Sequence, residues 1–362
     1  MRRGFMHWSQ QELPPAALDA RVARLQSVMR TQGLGAVLTY ASFAQPAPLQ
    51  WLCNYIPYWS EAVLVVWPEG PPTMLVAGTP RTHGWIRSVS HMGELVAAPK
   101  PGARAAEILA SKLSAQALVG VIGLDSLPWT TAEPLLAAGW GPRLVDATAA
   151  YISVRHPGDD AEHAMACTAR AIAEHAIAAI PATARKTSEV LAALDGAARL
   201  AGAEEVLPRI APDLELNATL LRIEGDQELG RRYAVDCSMA YKGVWVRVVQ
   251  SVAGGEQPAL WGDAGTWFDH VLPKVGGSRS MADLVATAPA ELTHWTLEAS
   301  IGVAPLSVVA SSSWPSEQVL PPNSLAVFSV QLALSDGPWL RSAPLRLGAG
   351  ALAKASAEPV TS

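Results

Sequence analysis

Apolar positions recur at helical spacing near the start of the chain. Leu18, Val22, Leu25 and Met29 share one face, and Gly33 and Gly35 follow as stop signals. Continuous apolar runs come next, over Ala36–Tyr40, Ala62–Trp67 and Thr73–Val76. The last two flank Pro68-Glu69-Gly70-Pro71-Pro72, which predicts a hairpin with a long turn. A helix is predicted over Ala103–Leu113, a buried strand over Leu118–Gly123, a helix over Thr130–Ala138 and a strand over Pro142–Asp146. Helices alternating with strands predict an α/β domain.

Proline and glycine in Arg155-His156-Pro157-Gly158 interrupt this pattern. An Ala-rich helix is predicted from Asp160 to Ile180, stopped by Pro181, and Thr187-Ser188-Glu189 reads as the capped start of a second helix reaching Leu200. Strands are then predicted over Tyr233–Asp236, Val244–Ser251, Ser307–Ala310 and Leu325–Leu334. The expected organisation is an α/β domain over 1–153, an α+β domain over 154–350, and a small, polar tail over 351–362.

Composition narrows the function classes. Half of the 362 residues are apolar and 16% are charged, enough for two domains with a sizeable core and unlike a disordered, collagen-like or disulfide-stapled chain. The 27 Lys and Arg are scattered and outnumbered by 32 Asp and Glu, so no nucleic-acid partner is expected. No stretch approaches the roughly 18 apolar residues of a membrane span, and no apolar segment follows the basic start, so neither a membrane nor export is expected. The cysteines Cys53, Cys167 and Cys237 form no CxxC pair, which fits a reduced, cytoplasmic setting.

One segment carries a resemblance, Tyr233-Ala234-Val235-Asp236-Cys237-Ser238-Met239-Ala240-Tyr241-Lys242-Gly243-Val244-Trp245-Val246-Arg247. It resembles the first metal-binding hairpin of the pita-bread metallopeptidases: aminopeptidase P, prolidase, methionine aminopeptidase and the metal-independent relative creatinase. Asp236 matches the first ligand Asp, and Gly243 the hairpin glycine. The order of elements resembles the family along most of the chain, with Ile301-Gly302 and Val327–Gln331 where its histidine and first glutamate strands belong. The resemblance implies a creatinase N-terminal-like α/β domain followed by an α+β pita-bread domain.

The family holds two divalent metals with two Asp, one His and two Glu. Here the second Asp position reads Arg247, the His position falls near Ala299, and the Glu positions read Gln331 and, nearby, Ala343. An Arg is always charged and only donates, so it repels a metal and pairs instead with a carboxylate such as Asp236. The expectation is a degenerate member with no metal and no cofactor, not a dinuclear metallopeptidase. The creatinase histidine is also missing: Leu216–Leu221 contains no His.

Two function classes stay open. One is a pseudoenzyme or partner subunit binding a small molecule or an active paralogue. The other is a metal-independent, creatinase-like enzyme acting on a small amino-acid-like or C–N bonded substrate. Candidate catalytic residues are Asp236, Arg247, His294 and Glu298, with His294 as acid/base and Glu298 orienting it or binding a cation. His294 and Glu298 also fit a solvated loop. Candidate ligand contacts are Arg247, Gln331, Trp245 and Trp295. His163 and His175 lack ligand spacing and read as surface residues, and Asp269-His270 reads as loop. Thirteen Trp against four Phe suggest packing, an interface or an aromatic pocket. In the family, the first domain of one subunit often closes over the neighbour's active site. The segment Gln50–Trp59 lies at the matching place, so Trp51, Tyr55, Tyr58 and Trp59 are expected at a subunit interface. The expected assembly is a homodimer or a heterodimer with a related pita-bread subunit.

Overall fold

The computed structural model describes residues 7–58, 60–275, 288–299, 306–314, 320–348 and 350–351. Trp59, Ile301, Gly302 and the tail over 352–362 lie outside the described residues. The chain divides into two compact units, with the boundary between Arg155 and His156.

The first unit opens with α1 (Pro15–Gln32), which Gly33 ends in a left-handed conformation (φ 67°). Its sheet has the order β4-β3-β2-β1-β5-β6, with strands Leu34–Ser42, Glu61–Val66, Thr73–Val76, Glu94–Ala97, Leu118–Ile122 and Leu144–Asp146 numbered along the chain. Strands β1, β2 and β3 pair antiparallel, and β3–β4, β1–β5 and β5–β6 pair parallel. Helices cover both faces, which is why the strands read as continuous apolar runs. On one face α1, α2 (Ala47–Cys53) and α6 (Thr148–Arg155) close a core around Leu25, Met29, Leu52, Leu64 and Tyr151. Beyond the opposite face lie α4 (Pro101–Lys112) and α5 (Trp129–Ala137), with Ile108, Leu109, Val121 and Leu135 packed together. A short α3 (His83–Val89) precedes β4.

In the second unit, α7 (Asp160–Ala178) begins under a side-chain cap: Asp159 Oδ1 accepts from the Glu162 backbone N–H at 2.9 Å. The start of α8 (Thr187–Leu200) is held by Glu189, whose Oε2 accepts from the Arg185 backbone N–H at 2.7 Å. The antiparallel sheet has the order β11-β10-β12-β13-β9-β8-β7. Its strands are β7 (Glu205–Ala211), β8 (Arg232–Tyr241), β9 (Val244–Ala253), β10 (Leu292–Ala299), β11 (Ser307–Ser311), β12 (Leu325–Leu334) and β13 (Gly337–Arg346), with β14 (Gly350–Ala351) pairing β13. Only Arg341↔Gln250 and Ser342↔Val249 join β13 to β9, so a narrow seam connects the two halves.

Helix α9 (Ala259–Val275) packs on one face of this sheet through Phe268, which stacks on Phe328 and meets Trp339 edge-on. Asp269 and His270 therefore lie in a helix, not in the expected loop. The apolar stripe Trp261, Ala264, Phe268, Val271 and Leu272 overrides the two internal glycines. His163, expected at the surface, is 5% exposed and its Nε2 bonds the Asn323 carbonyl at 2.9 Å. The segment carrying His294 and Glu298 is strand β10, not a solvated loop.

Candidate functional site

The sheet face away from α9 carries the candidate residues, because alternation along each strand sends every second side chain there. One cross-strand row runs Arg209–Asp236–Val249–Ser342–Ser329–Thr296 through five strand pairings. On one side of it lie Ser238, Arg247 and Glu298, two residues along their strands. On the other lie Gln331 and Leu340, directly opposite each other, and His294 opposite Gln331. Arg209, Arg247, Val249, Glu298, Thr296 and Ser329 from the row and its flanks, with His294, Gln331 and Leu340, line a cavity of about 430 Å³, a size suited to a small molecule.

Ion pairs cross the cavity wall. Asp236 is fully buried, and its Oδ2 accepts from Arg209 Nε at 2.7 Å and lies 2.5 Å from Arg209 Nη2. Arg247 Nε stands 3.4 Å from the same oxygen and donates to Ser238 Oγ at 3.0 Å. Ser238 Oγ in turn donates to Asp236 Oδ1 at 2.8 Å. At its other end Arg247 Nη1 binds Glu298 Oε2. The result is a continuous chain Arg209–Asp236–Arg247–Glu298 with alternating charge. Three strand steps separate Arg247 from Glu298, roughly 14 Å in a flat sheet at the usual spacing. The two long side chains span this gap over Val327 and Pro344.

This geometry refines the expected pairing. Arg247 does reach Asp236, but from a diagonal position, since Asp236 faces Val249 and Arg247 faces Ser238. The close partner of Asp236 is Arg209, directly opposite on β7. Sequence reasoning missed it because Pro208 makes the segment a poor strand candidate. Proline is tolerated here because β7 is the edge of the sheet. The alternating Val206, Pro208 and Ile210 on one face and Leu207 and Arg209 on the other were the available signal.

Glu298 does not orient His294. The two share a face but are four residues apart in a strand, roughly 13 Å along it. His294 is exposed at the rim, and its Nδ1 bonds Ser312 Oγ at 2.8 Å. Trp295 is 4% exposed and points to the opposite face, so it is no cavity residue. Trp245 is half-buried near the β8–β9 turn and is not among the cavity-lining residues. Gln331 does line the cavity. Ala299 and Ala343, read for the lost His and second Glu, fall on the covered face, while Ser329 lines the cavity and Ser342 lies beside it in the sheet. Both hydroxyls are buried with no hydrogen-bond partner among the described residues.

The first unit also departs from expectation. Trp51 and Tyr55 are 5% and 2% exposed and belong to its core. The guanidinium groups of Arg21, Arg24 and Arg155 gather around the Trp51 ring, with Tyr151 edge-on. Tyr58 is half-buried.

Elsewhere in the second unit, Glu204 Oε2 accepts from the Gly243 backbone N–H at 2.9 Å, holding the β8–β9 turn. Burial pushes its carboxyl up to about 7, against the opposing pull of the Gly243 and Lys242 N–H groups. Burial likewise pushes the Cys237 thiol up to about 12, so it is no thiolate nucleophile at neutral pH.

The arrangement has close counterparts of known structure. An X-Pro aminopeptidase from Thermotoga maritima matches 92% of this chain and 98% of its own at a TM-score of 0.71 and 14% identity. A prolidase from Pyrococcus horikoshii matches 94% and 100% at 0.68 and 13% identity. Dipeptidase PepE from Mycobacterium ulcerans matches 96% and 98% at 0.66 and 16% identity. The chain has the pita-bread peptidase fold. Neither a protein-family model nor a curated protein sequence matches it.

That fold implies a dinuclear metal centre, and the residues present do not fit one. Among the described residues no three His, Cys, Asp or Glu converge to hold a metal ion. The two cavity carboxylates are engaged by guanidinium groups instead, and the Ser329 and Ser342 hydroxyls carry no charge to balance a divalent cation.

Proposed function

We propose that this chain is a pita-bread protein without dinuclear peptidase chemistry, whose cavity binds a small molecule. The observation that carries the reading is the Arg209–Asp236–Arg247–Glu298 chain. A metal entering between Asp236 and Glu298 would have to displace two fixed cations from their carboxylates. Displacing Arg247, whose side chain is 16% exposed, leaves a largely buried guanidinium without its carboxylates. The open cavity of about 430 Å³ favours a small ligand over a site filled in for a purely scaffolding role.

A metal-independent enzyme is the second reading, favoured by His294 at the cavity rim. In either reading we expect the chain to work as a homodimer or paired with a related pita-bread subunit.

The test incubates the purified protein with Xaa-Pro dipeptides and Mn²⁺ or Co²⁺, and separately examines it by native mass spectrometry. We expect no hydrolysis above background, and a small molecule retained by the folded protein. Metal-dependent hydrolysis that disappears in Asp236→Asn would overturn the reading.

A further inference from the structure

We infer that the cavity ligand is a small organic monoanion, a carboxylate on an apolar body that carries no amino group; this rests on the small-molecule reading above. Two guanidinium groups converge on one oxygen, Asp236 Oδ2: Arg209 Nη2 lies 2.5 Å from it and Arg247 Nε 3.4 Å. They are therefore neighbours, and one headgroup can reach both. Each keeps a nitrogen outside the ion-pair chain. Arg209 uses Nε and Nη2 on Asp236, which leaves Nη1, and its side chain is 37% exposed. Arg247 turns Nε toward Asp236 and Ser238 and Nη1 toward Glu298, which leaves Nη2. The carboxylates stand behind these groups, with the Asp236 and Glu298 side chains 0% and 7% exposed. A ligand at this end meets N–H donors, and a carboxylate matches the planar guanidinium fork.

The balance of charge sets how much the ligand carries. Among the described residues three arginines line the cavity, Arg209, Arg247 and Arg341. The carboxylates of Asp236 and Glu298 balance the first two. Arg341 has its partner Asp269 at 3.6 Å, with that side chain 67% exposed, where water weakens the pairing. One cation is left in surplus, and one carboxylate neutralises it. A phosphate monoester overshoots, since it carries close to two charges at neutral pH. An α-ammonium group would sit beside the ligand's carboxylate and so beside two guanidinium groups, where like charges repel. Leu220, Val249 and Leu340 in the cavity wall suit an apolar body.

Calorimetric titration of the purified full chain with 4-methylpentanoate, hexanoate, benzoate, L-leucine and 3-methylbutyl phosphate tests this. The three carboxylates bind. L-Leucine, which is 4-methylpentanoate with an α-ammonium group, binds at least about tenfold more weakly than 4-methylpentanoate, and so does the phosphate, a loss of ~1.4 kcal/mol. Arg209→Gln weakens the carboxylates by a similar factor. Arg341→Gln leaves both buried carboxylates paired and weakens the same ligands several-fold, and it serves as the variant if Arg209→Gln fails to fold. No binding of any carboxylate, leucine or the phosphate binding as tightly as 4-methylpentanoate, or an unchanged affinity in Arg341→Gln overturns the ligand class. The first of these results with a different small molecule retained in mass spectrometry leaves the small-molecule reading intact, whereas metal-dependent dipeptide hydrolysis overturns that reading itself.

Discussion

Asp236 is held by two arginines from two different strands, and only one of them was visible as a partner in the sequence. The hairpin motif exposes Asp236 and Arg247 because their spacing is local. Arg209 arrives from a strand more than twenty residues upstream, and that pairing exists only in the folded sheet. Glu298 was legible as a cavity residue, but its partner was not, since a loop reading places it beside His294 while a strand separates them. The arginine–carboxylate contacts carry a clear stability consequence. Arg247→Met leaves Glu298, with a side chain 7% exposed, without its cation, and costs about 3–5 kcal/mol. The double substitution Arg247→Met, Glu298→Met recovers part of that loss, because no orphaned Glu298 carboxylate remains. Urea unfolding of the two variants measures the difference. Glu204 gives a second prediction. Its carboxyl is raised from 4.5 to about 7 in the folded chain, so between those values the folded state binds more protons than the unfolded state. Its contribution is fully present below pH ~4.5 and is lost as pH rises through about 7. Glu204→Gln removes this slope, and the unfolding midpoint measured from pH 4 to 8 becomes flatter.

At the scale of elements, periodicity found those whose burial follows one pattern. Helix α8 and strand β12 were predicted with the bounds they have, since a capping signal and an uninterrupted apolar run mark them. Among the elements that escaped, β7, β10, β13 and α9 contain proline, glycine or polar residues that tertiary contacts override. Close packing also sets limits that no propensity shows. A Cβ on Gly102 in α4 would lie 2.5 Å from Thr131 Cα and 2.9 Å from the Thr131 carbonyl in α5. Alanine is better than glycine in a helix by up to ~1 kcal/mol, but forcing the two helices apart costs about 1–3 kcal/mol. Gly102→Ala is therefore expected to lower the thermal midpoint, and a rise would show that the helices separate without cost.

At the scale of the whole molecule, two units with the pita-bread arrangement persist at 16% identity or less to the peptidases that share it. Fold is maintained by alternation and burial, which many sequences satisfy, whereas a metal centre depends on five particular side chains. That contrast explains why the architecture was readable from element order while the cavity's content was not: Arg247 and Ser329 come to line one cavity only after β9, β12 and β13 are in register. The lost metal chemistry is the claim on which the rest depends. Elemental analysis of the protein after equilibration with excess Mn²⁺, Co²⁺ or Zn²⁺ and removal of free ion tests it most directly. The account predicts far less than one divalent ion per chain, unchanged in Asp236→Asn. About two ions per chain, lost on that substitution, would contradict it.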